Sequence, residues 1–192
     1  MFKVILAVVL IVSLSCIHIT EEHEPISSVV SLKSDTGKYL SRCNRCWLGD
    51  GAYPDSAFVH ETNPSNPWAK WTVESLGNGK YTLKGDNGKY LSRCNNCVTD
   101  GAYPDSAFVH ETNPSNPWAQ WTIKSVGNGK YTLMGDNGKY LSRCNNCGFG
   151  AYPDSAFVHE TNPSNPWAQW ELVSAWFDQI NNRSWKYLFF VQ

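Results

Sequence analysis

The chain has 192 residues, with 16 Lys and Arg against 17 Asp and Glu, and it carries nine tryptophans, fourteen glycines, ten prolines and seven cysteines. A formal net charge of −1 supplies no basic field for nucleic acid. The length suits one domain with a sizeable core, and turn residues without any long 3.6-residue periodicity predict an all-β fold.

Met1 to Ser15 read MFKVILAVVLIVSLS: Lys3, an apolar run, then small residues where a signal peptidase cuts. The run is shorter than the roughly 20 apolar residues a membrane span needs. Residues 1–16 are therefore expected to be a signal peptide, and the protein secreted and extracellular with no membrane span. Cys16 falls at this boundary. Residues 17–27 form a polar lead-in containing Glu21, Glu22, Glu24 and Pro25.

From residue 28 the chain repeats itself. GAYPDSAFVHETNPSNPWAQW occupies Gly101–Trp121, recurs unchanged at Gly150–Trp170, and recurs at Gly51–Trp71 with Lys70 for glutamine. Cys43, Cys94 and Cys144 recur after 51 and then 50 residues. A period in this range marks an array, a propeller or an internally symmetric domain. Each unit begins with an alternating strand, at Val29–Lys33, Tyr81–Lys84 and Tyr131–Met134. A tight turn follows at Asp35–Gly37, Asp86–Gly88 and Asp136–Gly138. Asn-Gly in the last two predicts hairpins with positive φ at both central residues. Lys-Tyr-Leu-Ser-Arg then returns as a second strand. Ala57–Thr62 and its copies read as a third, bounded by prolines that cannot donate to a ladder. Trp71–Ser75 and its copies read as a fourth, with Trp71, Trp121 and Trp170 directed to the core. Gly-Asn-Gly at 77–79 and 127–129 turns the chain into the next unit.

Three four-stranded units, 28–78, 79–128 and 129–174, closing on a pseudo-threefold axis describe a β-trefoil, in which closure removes free edges. The pattern at Leu32–Ser41, Leu83–Ser92 and Leu133–Ser142 resembles the repeat of fascin-like, actin-crosslinking β-trefoil domains. The resemblance covers roughly 28–174 and implies the trefoil fold. Fascins bundle actin in the cytosol, a role that a signal peptide opposes. Ricin-type lectin trefoils carry Q-x-W in each unit; here Gln120-Trp121 and Gln169-Trp170 are adjacent and that motif is absent.

After Ser174 the repeat ends. Residues 175–192 finish in WKYLFFVQ and are expected to supply an aromatic strand that closes the barrel beside the first strand or, in a second reading, mediates self-association. Asn182-Arg183-Ser184 is the glycosylation sequon; the Asn-Pro-Ser sites fail because proline follows asparagine.

Six of the seven cysteines form three C-x-x-C pairs: Cys43/Cys46, Cys94/Cys97 and Cys144/Cys147. A local disulfide in each pair is the leading reading in an oxidising compartment. Zinc is a second, although three pairs do not divide into four-ligand sites. Thioredoxin-like chemistry is a third and lacks its helix; bridges between units complete the alternatives.

His60, His110 and His159 stand beside Glu61, Glu111 and Glu160, but adjacent strand residues face opposite ways and cannot act together. No catalytic residue, metal or cofactor is expected, and the chain reads as non-enzymatic. Trp68, Trp118 and Trp167 follow Asn-Pro in loops. An exposed aromatic near Asp55, Asp105 and Asp154, the three histidines, and Asn63, Asn113 and Asn162 is the equipment of a sugar site. For the aspartates turn chemistry is the competing reading. The expectation is a multivalent lectin recognising glycans or glycoproteins, with one site per repeat. The alternatives are a structural or adhesive matrix or coat protein, then an actin-binding protein or a protease inhibitor.

Overall fold

The computed structural model describes residues 28–49, 51–148 and 150–174. The first repeat supplies β1 (Ser28–Lys33), β2 (Tyr39–Asn44), β3 (Asp55–Glu61) and β4 (Trp71–Gly77). The second supplies β5 (Lys80–Lys84), β6 (Tyr90–Asn95), β7 (Asp105–Glu111) and β8 (Trp121–Gly127). The third supplies β9 (Lys130–Met134), β10 (Tyr140–Asn145), β11 (Asp154–Glu160) and β12 (Trp170–Ser174).

Pairing closes these strands into a ring. β1 pairs β4, β4 pairs β5, β5 pairs β8, β8 pairs β9, β9 pairs β12, and β12 returns to β1. The other six form hairpins β2–β3, β6–β7 and β10–β11, whose second strands meet one another around the threefold axis. The chain is a β-trefoil: a six-stranded barrel capped by three hairpins. Within the described residues closure is made by β12 on β1, from Val30 opposite Ser174 to Lys33 opposite Glu171. The signal-peptide segment, the lead-in, Asn182 and the aromatic tail at 175–192 lie outside the described residues.

The turns redistribute the Asn-Gly signals. At Asp86-Asn87-Gly88 and its copies, glycine alone takes positive φ, at 82°, 77° and 74° for Gly37, Gly88 and Gly138. Asn87 is held otherwise, because its Oδ1 accepts from the Lys89 amide while its Nδ2 donates to Asp55 and to the Val109 carbonyl. Two-residue hairpins with both residues at positive φ occur instead at Asn78-Gly79 (46° and 74°) and Asn128-Gly129 (51° and 72°). Asparagine tolerates the left-handed region through local hydrogen bonding, and glycine has no Cβ to clash.

Two cores result. In the barrel, Leu32, Leu83 and Leu133 pack with Trp71, Trp121 and Trp170, all fully buried. Each indole Nε1 donates to a strand carbonyl, of Leu40, Leu91 or Leu141, at 3.0–3.1 Å, so burial leaves no orphan donor. Under the cap, Phe58, Phe108 and Phe157 pack with the disulfides Cys43–Cys46, Cys94–Cys97 and Cys144–Cys147. The local-disulfide reading therefore holds.

The threefold axis is where the repeats differ. Between the second cysteine of each pair and Gly-Ala-Tyr, or its Gly150-Ala151-Tyr152 equivalent, the repeats carry four, three and two residues. Trp47 of the first touches all three repeats: Phe58 at 5.8 Å, Phe157 at 6.1 Å, and Asp100, which accepts from its Nε1 at 2.9 Å. The third repeat makes room with Gly148, where a Cβ would stand 2.6 Å from the Trp47 ring. The second places Val98 there. A space shared by three copies has room for one indole, so identity ends at this point.

Candidate functional site

Each repeat lends an arginine to the next. Arg42 on β2 donates from Nη1 to Asp55 of its own repeat at 2.7 Å. It also donates from Nε and Nη2 to the Asp86 carboxylate in the second repeat's turn, at 2.7 and 2.8 Å. Arg93 does the same with Asp105 and Asp136, and Arg143 with Asp154 and, back in the first repeat, Asp35. The bidentate fork matches the carboxylate geometry.

Asp55 is fully engaged. Its Oδ1 accepts from Arg42 and Asn44 and its Oδ2 from Asn87 of the second repeat. Burial by itself would raise its pKa, but these hydrogen bonds outweigh burial and hold the carboxyl below its usual range, as they do for Asp105. Hydrogen bonds that the guanidiniums donate, chiefly to Asp86, Asp136 and Asp35, raise the arginines' pKa against their own burial. These aspartates therefore lock neighbouring repeats together.

The loop tryptophans lie over these arginines. The Arg42 guanidinium sits 5.3 Å from the Trp68 ring centroid, and Arg93 and Arg143 lie 4.9 Å from Trp118 and Trp167. The loop is built to hold the indole there. Asn66 caps the single 3₁₀ turn Pro67–Ala69 by accepting from the Trp68 amide, and proline presets the first φ. Glu61 accepts from the Thr62 and Asn63 amides and from the Asn66 side chain. The Asn63 side chain accepts from Ser65. The backbone hydrogen bond from Asn63 leads the causes that hold the Glu61 carboxyl below its usual range. The same loop recurs at Asn116 and Asn165. Trp68, Trp118 and Trp167 nevertheless remain 43%, 38% and 40% exposed. Their inner faces rest on a cation and their outer faces are open.

The histidines are elsewhere. His110 is stacked 4.0 Å from Tyr53 of the first repeat, His159 3.9 Å from Tyr103, and His60 4.0 Å from Tyr152. Burial pushes all three imidazoles below the ordinary histidine pKa. Nδ1 of His60 pairs with Ser41 Oγ at 3.0 Å, but that serine is wholly buried and its hydroxyl also reaches the Phe58 carbonyl. The pair is not a nucleophile and base presented to a substrate. The set expected from the sequence thus divides in two. Asp55 and Trp68 gather around Arg42, Asn63 stays within the loop that carries Trp68, and His60 joins Tyr152 between repeats. Arg42, Arg93 and Arg143, and the partner tyrosines, were not singled out from the sequence, although an arginine in the same strand position of all three Ser-Arg-Cys segments was a signal that could have found them. Among the described residues no cluster of three or more metal-ligating side chains occurs.

A family model, the ricin-type β-trefoil lectin domain-like family, matches residues 67–151. The match stands beside the adjacent Gln120-Trp121, so it concerns the lectin-like trefoil rather than an intact Q-x-W motif. No curated protein matches the chain. Among solved structures, the chain is similar to ThreeFoil, a designed threefold-symmetric protein, with 21% identity and a TM-score of 0.56 over 76% of this chain and 98% of that one. It is similar at 14% identity and TM-score 0.56 to a salivary protein of the cysteine- and tryptophan-rich family from Culex quinquefasciatus, over 79% and 96% of the two chains. An exo-β-1,3-galactanase from Clostridium thermocellum aligns at 16% identity and TM-score 0.59, over 80% of this chain and 31% of that one. At these identities the likenesses establish the fold: a β-trefoil with a lectin-like match across its centre.

Proposed function

We propose that the protein is a secreted, non-enzymatic, multivalent carbohydrate-binding protein, with one site per repeat centred on Trp68, Trp118 and Trp167. The observation that carries this reading is the open indole, held flat by an arginine and repeated three times in the same setting. The apolar face of a pyranose stacks on such a ring, while hydroxyls need fixed polar partners. Asn63, in the same loop as Trp68, is exposed, as is Asp86, which is tied to the first platform through Arg42. The ricin-type match supports a sugar as the ligand class. Three weak sites on one glycan-bearing surface gain about 10²–10⁴ in avidity. The three disulfides and the apolar N-terminal run favour an extracellular setting, which counts against the cytosolic actin bundling of a fascin-like protein.

A glycan array probed with the full chain tests this. A definite glycan set should be bound and then lost in the Trp68→Ala, Trp118→Ala, Trp167→Ala triple variant, with near-ultraviolet circular dichroism reporting its fold. Failure to bind any glycan at high protein valency would sink the reading.

A further inference from the structure

Asn78, Asn87, Asn128 and Asn137 each precede Gly-Lys. In such a pair the glycine nitrogen can close on the asparagine side-chain carbon, because glycine has no Cβ to shield it and turns freely. The fold treats the four in two ways.

Asn87 and Asn137 are locked. Asn87 donates from Nδ2 to Asp55 and to the Val109 carbonyl, and its Oδ1 accepts from the Lys89 amide. The Gly88 nitrogen, which would have to attack, donates to the Gly85 carbonyl at 3.0 Å. Asn137 has the same partners in Asp105, Val158 and Lys139, and the Gly138 nitrogen donates to the Gly135 carbonyl at 3.2 Å. Turning either asparagine into line for attack breaks all of these bonds together.

Asn78 and Asn128 are open. They stand exposed at the tips of the β4–β5 and β8–β9 hairpins, which carry the chain from one repeat to the next. Neither their side chains nor the nitrogens of Gly79 and Gly129 make a hydrogen bond with any described residue. The backbone around them is permissive, with φ of 77°, 46° and 74° along Gly77–Gly79 and of 90°, 51° and 72° along Gly127–Gly129. A register shift sets the last ladder pair, Gly77 with Lys80 or Gly127 with Lys130, apart from the rest of each hairpin. A tip held by one irregular pair opens at the low end of local unfolding free energies.

We infer that Asn78 and Asn128 are sites of self-modification, converting through a cyclic imide to aspartate and isoaspartate in the folded protein. The Gly79 nitrogen gives up its proton and bonds to Asn78 Cγ. The Cγ–Nδ2 bond breaks, and the amide nitrogen leaves as ammonia with that proton. Solvent water then opens the imide at either carbonyl. One opening restores the main chain as aspartate; the other routes it through the side-chain carbon as isoaspartate. No electrons are exchanged. Each conversion adds a negative charge at a junction between repeats, and isoaspartate also lengthens the turn by a methylene.

Incubating the full folded chain at mildly alkaline pH, followed by peptide mapping, tests the assignment. Asn78 and Asn128 should convert about tenfold or more faster than Asn87 and Asn137. In urea with the disulfides reduced the four rates should converge, because all share the Asn-Gly-Lys sequence and the fold no longer protects two of them. Isoaspartyl peptides, detected by an isoaspartyl methyltransferase with labelled methyl donor, should appear from residues 78 and 128. An Asn78→Gly, Asn128→Gly double variant suits the left-handed φ and should remain a single species on isoelectric focusing while the unsubstituted chain develops acidic forms. Equal rates at the four sites in the folded chain, or acidic forms arising as fast in the double variant, would overturn the proposal. Conversion without isoaspartate would overturn the imide route.

Discussion

Tyr53 of the first repeat lies on His110 of the second, ring centroids 4.0 Å apart and planes inclined by 25°. The same contact joins the second repeat to the third and the third to the first. Each repeat boundary therefore contains a titratable ring whose neutral form the fold prefers. Glu61 beside His60 raises its pKa and Lys38 lowers it, but burial dominates.

Acid should weaken the protein in two stages. An unfolded histidine takes up its proton near 6.5, whereas the three native imidazoles resist it. Stability is then complete above about pH 6.5 and declines as pH falls toward the lower native pKa, because the unfolded state binds more protons. A second decline should follow below about pH 4.5, where unfolded carboxyls protonate and the depressed Asp55, Asp105, Glu61, Glu111 and Glu160 do not. Histidine pKa values from NMR and Tm measured between pH 4 and 8 check both stages. Native pKa values at or above 6.5 for these three histidines would contradict the first.

Asp55→Ala should cost more than Asp86→Ala. Asp55 accepts from Arg42, Asn44 and Asn87, joining two repeats, and its removal leaves the half-buried Arg42 Nη1 and the Asn44 amide without that acceptor and Asn87 with the Val109 carbonyl alone. We expect about 2–4 kcal/mol from urea unfolding for Asp55→Ala. Asp86→Ala leaves Arg42 paired with Asp55, and about 1–2 kcal/mol is expected. Equal losses would show that the two carboxylates share the arginine's charge evenly.

Trp47 and Gly148 should be energetically coupled. Gly148→Ala drives a Cβ toward an indole 2.6 Å away and should cost about 1–3 kcal/mol. Trp47→Val, copying Val98, should cost about 2–4 kcal/mol through the space it empties. In the double variant the methyl enters that space, so the combined loss should fall below the sum by about 1 kcal/mol or more. Strict additivity would show that the two side chains do not share one cavity.

The disulfides should not open together. Cys46 and Cys97 are buried, whereas Cys147 is partly exposed. Graded reduction followed by alkylation and peptide mapping should label Cys144 and Cys147 first. Each bridge closes a very short loop, so replacing a pair by alanine should cost about 2 kcal/mol or less in chain entropy.

The architecture was legible because its signals are local. Alternating Leu32 and Lys33, the prolines beside Ala57–Thr62 and the tryptophan that opens β4 each report on a few residues, and threefold repetition multiplies the signal. The candidate site was half legible. Trp68 announced itself by following Asn66-Pro67 in a loop, and the division of tryptophans into core and surface follows from strand position. That His60 would meet Tyr152 rather than Asp55 was hidden, because identical copies carry no mark of which copy a side chain will touch. Arg42 was missed for the same reason: its partner Asp86 is a turn residue in its own repeat and becomes an ion-pair acceptor when the next repeat docks. Trp47 stood outside the repeated string, and its importance emerges where three loops compete for one volume.

That volume has a further consequence. Barrel pairings and tyrosine–histidine stacks are alike at every boundary, and the arginine clamps differ only where Thr36 replaces the asparagine that donates to Asp55 and Asp105, so these contacts distinguish the repeats weakly. Two chains exchanging repeats would satisfy most of those contacts nearly as well as one chain does. The axis discriminates most sharply. An assembly gathering two first repeats would crowd a second indole into a filled space, and one lacking a first repeat would enclose a hole. Trp47 thus serves as a steric census, admitting one first repeat per domain and giving an otherwise anonymous ring a beginning.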